Sequence, residues 1–216
     1  MDIIKNGIDL ILHLDKYLNF VIQAYGIWTY LILLFVIFCE TGLVVTPFLP
    51  GDSLLFAAGA FASTGSLDIK YLFLTFGMAA VLGDTVNYFI GKSIGFKIFE
   101  KENLRFIKKE HLIKTHKFYE KHGGKTIIIA RFIPVIRTFA PFVAGIGEMS
   151  YRRFISYNIM GGIAWAALFL FGGFFFGNLP FVKSNFTFIL IAIIIISILP
   201  GVIGIIRGRK QNLSDA

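Results

Sequence analysis

The sequence predicts an all-α, polytopic membrane protein that has two opposed re-entrant helical hairpins in an inverted repeat, plus spanning helices and an N-terminal amphipathic helix. Three observations lead to this fold class: 56% of the 216 residues are hydrophobic, only 16% are charged, and long apolar runs recur along the chain. Ordinary soluble domains carry about 25% charged residues. The composition excludes a disordered chain and a nucleic-acid-binding tail, the single cysteine excludes a disulfide scaffold, and a soluble enzyme is disfavoured.

Residues 1–26 are predicted to form an amphipathic N-terminal helix and its lead-in to the membrane. Isoleucine and leucine recur there at helical spacing, whereas Lys5, Asp9 and Lys16 follow the opposite face. A helix with one apolar and one charged face is typical of the membrane interface.

Residues 27–91 are the first predicted repeat. The run from Glu40 to Ala62 is apolar but carries two prolines and two acidic residues. Because proline breaks a helix and charge is costly in lipid, we expect a re-entrant hairpin with its tip near Pro47–Asp52. The following run, Tyr71–Gly91, is apolar except for Asp84 and is long enough to span the membrane as a helix.

The second half repeats this pattern after a polar connection. Residues 92–125 are predicted to be a basic, cytoplasmic, amphipathic segment. Residues 126–182 form the second repeat, with a hairpin tip near Pro134–Pro141 and a spanning helix within the uncharged run Phe154–Val182. Residues 183–216 supply a final spanning helix and a basic cytoplasmic tail.

Positive charge supports this layout. If each hairpin enters and leaves on one side, residues 92–125, Arg152, Arg153 and the C-terminal tail share one compartment, which should be the cytoplasm. The opposite face then keeps Lys70 and Lys183, whereas full spans in place of the hairpins would scatter the basic groups. We therefore expect a cytoplasmic C-terminus.

The two halves also resemble each other in sequence. Pro47 precedes Gly59, and Pro134 precedes Gly145, at nearly the same distance, and each unit runs into a helix with small residues and an asparagine. Hairpins that enter from opposite faces would give the inverted topology of secondary transporters. The binding site of such transporters lies near the midplane, where broken helices meet.

Five ionisable residues fall at the predicted membrane depth, where charge indicates function. They are Glu40, Asp52, Asp84, Arg131 and Arg137. A helix break at Pro134 would let both arginines face one cavity, and their planar guanidinium groups suit phosphate. The carboxylates of Glu40 and Asp52 could exchange protons there. As an alternative, the same charges are neutralising ion pairs that hold the hairpins together.

The histidines do not indicate a metal site. His111, His116 and His122 lie in the basic segment at spacings that do not share one helical face, which favours a solvated amphipathic helix. No metal and no cofactor are expected.

At this point the sequence resembles a known family. The resemblance is carried by Glu40, Pro50-Gly51-Asp52-Ser53, Gly83-Asp84, Tyr88, Arg131-Phe132-Ile133-Pro134, Arg137 and Ala144-Gly145. These residues are similar to those of the DedA family, also described as the VTT or SNARE-associated domain. The resemblance implies a protein of the bacterial cytoplasmic membrane with two opposed re-entrant hairpins. It also implies similarity to transporters that return undecaprenyl phosphate across the membrane.

The expected function is therefore proton-coupled translocation of this lipid carrier, without enzymatic activity. Arg131 and Arg137 would bind the phosphate headgroup, and Glu40 and Asp52 would couple protons. Supporting roles are expected for Asp84, Pro47, Gly51, Pro134 and Gly145. The expected partners are a polyprenyl phosphate lipid, protons, and anionic membrane lipids at the basic segment, with no nucleic acid; the sequence is compatible with an oligomer.

Other functions stay open at the level of sequence. A general phospholipid scramblase or a proton-coupled ion or drug transporter would use similar buried charges. A membrane lipid phosphatase is disfavoured because such chemistry commonly needs a histidine, and His13, His111, His116 and His122 all lie outside the predicted spans. A purely structural membrane protein would carry five buried charges at high cost.

Overall fold

The computed structural model is all-helical over the residues that it describes, which are 14–43, 51–100, 124–197 and 199. The helices are α1 Leu14–Tyr25, α2 Trp28–Gly42, α3 Gly51–Ser63, α4 Ile69–Glu100, α5 Lys125–Ala130, α6 Pro134–Ile146, α7 Tyr151–Phe176, α8 Pro180–Ser184 and α9 Phe186–Ser197. No strand occurs in these ranges, so the predicted all-α class is confirmed.

Two of the described helices are long and apolar enough to cross a membrane, namely α4 over Ile69–Gly95 and α7 over Tyr151–Phe176. At about 1.5 Å per residue, each exceeds the ~30 Å hydrocarbon core. These helices confirm two of the predicted spans. They differ at their ends, because α4 continues to Glu100 and α7 stops at Phe176, where a turn at Gly177 precedes α8.

The second predicted hairpin corresponds to α5 and α6, which are joined by a turn at residues 131–133. Proline suits the first position of a helix because no backbone N–H is needed there, and α6 begins at Pro134. The turn therefore precedes the predicted tip. Pro141 lies inside α6 and does not end the helix.

Several predicted features fall outside the described residues. They are most of the first hairpin tip, including Pro47; the N-terminal helix before Leu14; most of the basic segment; and the end of the final helix with the tail. Gly51 and Asp52 are described and open α3.

The described chain divides into two compact units. The first contains residues 14–34, 51–76 and 166–197. Its centre is α3, which packs against α7 through small residues. A Cβ atom at Gly59 would overlap the carbonyl oxygen of Leu170, and a Cβ at Gly173 would overlap that of Phe56. The backbones of the two helices touch because glycine stands at the contact, as in other membrane helix pairs.

The second unit contains residues 35–43, 77–100 and 124–165. Here α4 is the central helix. A Cβ at Gly83 would overlap the hydroxyl of Thr41 in α2, and a Cβ at Gly91 would overlap the carbonyl oxygen of Phe142 in α6. Glycine thus lets α4 approach both α2 and α6 closely. α2 carries Glu40 and α6 carries Arg137, and these two side chains form an ion pair.

Candidate functional site

The site is built around Arg131, which lies in the turn between α5 and α6 and is 1% exposed. Its Nη2 donates to Asp84 Oδ2 on α4 and to Asn158 Oδ1 on α7, the latter at 2.5 Å. From this turn the side chain reaches both neighbouring helices. Asp84, predicted only as a supporting residue, is therefore the direct ionic partner of Arg131.

Asn158 holds this arrangement in place. Its Nδ2 donates to the carbonyl oxygen of Val81 at 3.1 Å, so its Oδ1 is turned toward Arg131. Sequence reasoning did not assign Asn158 to the site. The available signal was an asparagine within the uncharged run Phe154–Val182, but an amide carries no charge to single it out.

Two glycines of α7 let this helix pack closely against the guanidinium group. A Cβ at Gly162 would lie 3.3 Å from Arg131 Nη1, and a Cβ at Gly161 would lie 3.6 Å from Arg131 Nε. These two nitrogens, and Oδ1 of Asp84, are buried and have no hydrogen-bond partner among the described residues. Buried polar atoms are rarely left unpaired, so this part of the site fits a polar ligand.

The second ion pair joins Arg137, in the second turn of α6, to Glu40, near the end of α2. Both side chains are almost completely buried. The Arg137 guanidinium also lies over the ring of Trp165, 4.9 Å from its centroid. Arg137 interacts electrostatically with Asp84 and with Arg131, so the two ion pairs form one charged cluster.

Asn87 fixes the backbone beside both residues of this second pair. It lies one turn after Asp84 on α4, and its Nδ2 donates to the carbonyl oxygens of Thr138 at 2.7 Å and Thr41 at 3.3 Å. Thr138 follows Arg137, and Thr41 follows Glu40. The amide therefore connects α2, α4 and α6 at the level of the charges.

Asp52 belongs to the other compact unit. It is buried near the start of α3, and Oγ of Ser197 in α9 donates to its Oδ2 at 2.7 Å. The neighbouring Ser53 donates to the carbonyl oxygen of Leu190 at 3.1 Å, which ties the start of α3 to α9 a second time. Sequence reasoning missed Ser197, since a serine in an apolar run has no charge to mark it.

The structure therefore brings together four of the five predicted ionisable residues, Glu40, Asp84, Arg131 and Arg137, in one unit. Of the supporting residues, Gly51 opens α3, Pro134 opens α6, and Gly145 faces the backbone of Tyr88 and Lys92 on α4. Pro47 lies outside the described residues.

The donor set is suited to an oxyanion. The two planar forks of a guanidinium group, Nε with Nη2 and Nη1 with Nη2, share one nitrogen. In Arg131, Nη2 is already engaged by Asp84 and Asn158. Two-point binding of phosphate would therefore require one of these acceptors to withdraw. In the described ranges, no group of three or more His, Cys, Asp or Glu side chains is placed to hold a metal ion.

Comparison with known proteins shows to which family the chain belongs. The VTT domain matches residues 49–175. The chain is 54% identical over 212 residues to Protein DedA of Escherichia coli K12, with 97% of each chain covered. It is 46% identical over 183 residues to an uncharacterized membrane protein of Mycobacterium leprae, with 85% of this chain and 82% of the relative covered.

A more distant relative is the inner membrane protein YqjA of Escherichia coli K12, which is 32% identical over 151 residues, or 70% of this chain and 69% of the relative. No solved structure matches the chain. The domain match covers more than half of the chain, and the relatives extend over most of it, in agreement with its two apolar spanning helices. The chain is a membrane protein and belongs to the DedA family of VTT-domain proteins.

Proposed function

We propose that this protein is a transporter, rather than an enzyme, that moves the lipid carrier undecaprenyl phosphate across the bacterial cytoplasmic membrane in a proton-coupled process. The proposal includes two opposed re-entrant hairpins in an inverted repeat, of which α5 and α6 are the second. It also includes a cytoplasmic C-terminus. The name of the inner membrane relative supports the location.

One observation carries the proposal: Arg131 is a buried cation with two unpaired donor nitrogens in the part of the chain that the structure describes. A charge at membrane depth is costly, and intramembrane arginines mark substrate pathways. The planar fork of a guanidinium group matches the geometry of phosphate oxygens, which it can bind at two points. Gly161 and Gly162 bring the backbone of α7 close to the guanidinium group, with no side chain of their own beside it.

Exchange of partners couples the phosphate to protons. In this proposal, Asp84 is the acceptor that withdraws from Nη2 when a phosphate takes both nitrogens of one Arg131 fork. The released carboxylate then stands in a water-poor region without its counter-ion, where it is stable only if it takes up a proton. Glu40 and Arg137 would undergo the same exchange. When the headgroup leaves, the carboxylates lose their protons and return to the arginines.

Asp52 would take part from its own unit, with Ser197 as the residue that orients its carboxylate. The basic segment, residues 92–125, would rest on anionic lipid headgroups at the cytoplasmic surface. The polyprenyl chain would stay in the lipid, because exposed apolar side chains on the described helices already face that phase.

The test is binding of undecaprenyl phosphate to the purified full chain, followed by native mass spectrometry. The variant Arg131→Ala with Arg137→Ala should lose selective binding. The matched control is Arg152→Ala with Arg153→Ala, which removes two exposed arginines at the start of α7 and should leave selective binding intact. Thermal unfolding in detergent establishes that both variants are folded.

Phosphatidylglycerol serves as the competitor and separates the candidate cargoes. Undecaprenyl phosphate that is retained in excess phosphatidylglycerol supports a polyprenyl phosphate site. Equal displacement by both lipids would indicate a general phospholipid scramblase. Binding that is unchanged in the Arg131/Arg137 variant would contradict the site assignment itself.

A further inference from the structure

We propose a second lipid site, separate from the ion-pair cluster, in which Lys183 binds the anionic headgroup of a phospholipid at the membrane surface. The site is a cavity of about 210 Å³ in the first unit, formed by the end of α3, the end of α7 and the start of α9. It is lined by Ala60, Phe61, Thr64, Gly177, Asn178, Lys183 and Phe186. The inference does not depend on the proposed transport.

The position of the cavity indicates a headgroup. The chain connects two apolar helices, α7 and α9, through a turn at residues 177–179 and the short helix α8. Such a connection lies where a spanning helix leaves the hydrocarbon, at the level of the lipid headgroups. Large apolar side chains surround it, with Phe181 and Phe188 each more than 70% exposed, as expected of residues that face acyl chains.

The lining has the chemistry of an anionic amphiphile. Phe61 and Phe186 provide apolar walls, while Lys183 supplies the cation and Thr64 and Asn178 supply polar groups. One N–H of Asn178 donates to Ser63 at 2.5 Å, which positions the amide at the cavity edge. Lys183 has no carboxylate partner among the described residues, so its charge is available to a ligand.

The size of the cavity fits a headgroup alone. Pockets for drug-sized molecules usually exceed about 300 Å³. A glycerol phosphate headgroup needs less space, and its acyl chains would leave along the exposed phenylalanines. Gly177 and Ala60 both line the cavity. A Cβ atom at position 177 would overlap Ala60, so the close contact of these two residues requires glycine.

The experiment measures phosphatidylglycerol binding by native mass spectrometry on the full chain, with phosphatidylcholine as the zwitterionic reference. Lys183→Gln should weaken phosphatidylglycerol binding by about fivefold, the effect of one lysine at a lipid surface, and leave phosphatidylcholine unchanged. Lys70→Gln is the matched control, since Lys70 is also exposed, belongs to the same unit and does not line the cavity.

Inorganic phosphate is added as a second arm to distinguish a lipid from a free anion. Loss specific to Lys183→Gln, without competition by inorganic phosphate, supports the site. Equal loss of phosphatidylglycerol binding in both lysine variants would show that the lipid responds only to general surface charge. That result would overturn the proposed site. Displacement of the lipid by inorganic phosphate would overturn the lipid as the ligand. Arg131→Ala should leave this binding intact, which separates the result from that of the transport site.

Discussion

The buried ion pair of Arg131 and Asp84 contributes less to stability than its charges suggest. Asp84 Oδ2 accepts from Arg131, and the other carboxylate oxygen has no hydrogen-bond partner among the described residues. A buried pair of this kind stabilises less than apolar packing would, yet the loss of one partner is costly because the other charge remains. The pair is therefore better explained by function than by stability.

We predict that Asp84→Asn lowers the free energy of unfolding by about 3 kcal/mol, because it leaves Arg131 buried without a counter-ion. The double variant Asp84→Asn with Arg131→Gln should recover part of this loss. Thermal unfolding of the purified protein in detergent measures both variants. A double variant no more stable than Asp84→Asn alone would show that the two charges are not energetically coupled.

Glu148 affects the stability of the protein through its backbone conformation rather than through its side chain. It follows α6 with φ of 55°, in the left-handed region. The N–H of Met149 donates to the carbonyl oxygen of Ala144, and that of Glu148 donates to Gly145, which is the Schellman arrangement. This position usually holds glycine because a side chain there is strained.

We predict that Glu148→Gly raises the free energy of unfolding by about 1 kcal/mol, since the strain of a left-handed non-glycine residue is removed. The side chain is exposed, so no buried contact is lost. Chemical or thermal unfolding of the variant beside the natural chain tests this. A decrease in stability would mean that the Glu148 side chain makes a contribution larger than the backbone strain.

At the scale of the element, α4 organises the second unit. Gly83 faces α2, and Gly91 and Gly95 face α6, so that backbone lies against backbone. In lipid, helices gain little from burying apolar area, and close contact between small residues supplies the association. The same helix carries Asp84 and Asn87, so its packing and its polar contacts are set together.

We predict that Gly91→Ala destabilises the protein by about 1–3 kcal/mol, because the new methyl group would overlap the carbonyl oxygen of Phe142. Gly77→Ala in the same helix is the control. A Cβ at Gly77 meets nothing within 4 Å, so alanine there should be neutral or stabilising through helix propensity. Unfolding measurements that rank the two variants in the opposite order would contradict the close contact of α4 and α6.

Individual helices show which parts of the fold could be predicted from the sequence and which could not. The spans of α4 and α7 could be predicted because length and hydropathy are properties of a continuous run. The turn before Pro134 could be placed only approximately, since both Pro134 and Pro141 signal a break and one of them is accommodated inside α6. The partner of Arg131 could not be derived, because the choice between Glu40, Asp52 and Asp84 depends on how the helices pack.

At the scale of the whole molecule, the basic residues near the two ends of α7 bear on how the chain is oriented in the membrane. Arg152 and Arg153 lie at its first turn, and Lys183 follows its other end. A helix of this length separates its ends by more than the hydrocarbon thickness. If α7 spans the membrane as proposed, its two ends lie at opposite surfaces, and the pair of arginines places the first end in the cytoplasm.

We predict that cysteines placed at the two ends react from opposite sides. In a Cys39→Ala background, which removes the one natural cysteine, Lys183→Cys should react with a membrane-impermeant maleimide in intact cells. Arg153→Cys should react only after the membrane is opened. Labelling of both positions in intact cells would contradict the orientation.

The stacking of Arg137 on Trp165 has an optical consequence. The chain contains two tryptophans: Trp28 is 63% exposed, and Trp165 is completely buried beneath the guanidinium. Replacing Trp28 with phenylalanine would leave one indole, whose emission depends on the charge above its ring. Fluorescence of that indole would then follow the movement of Arg137 in real time, without an attached dye.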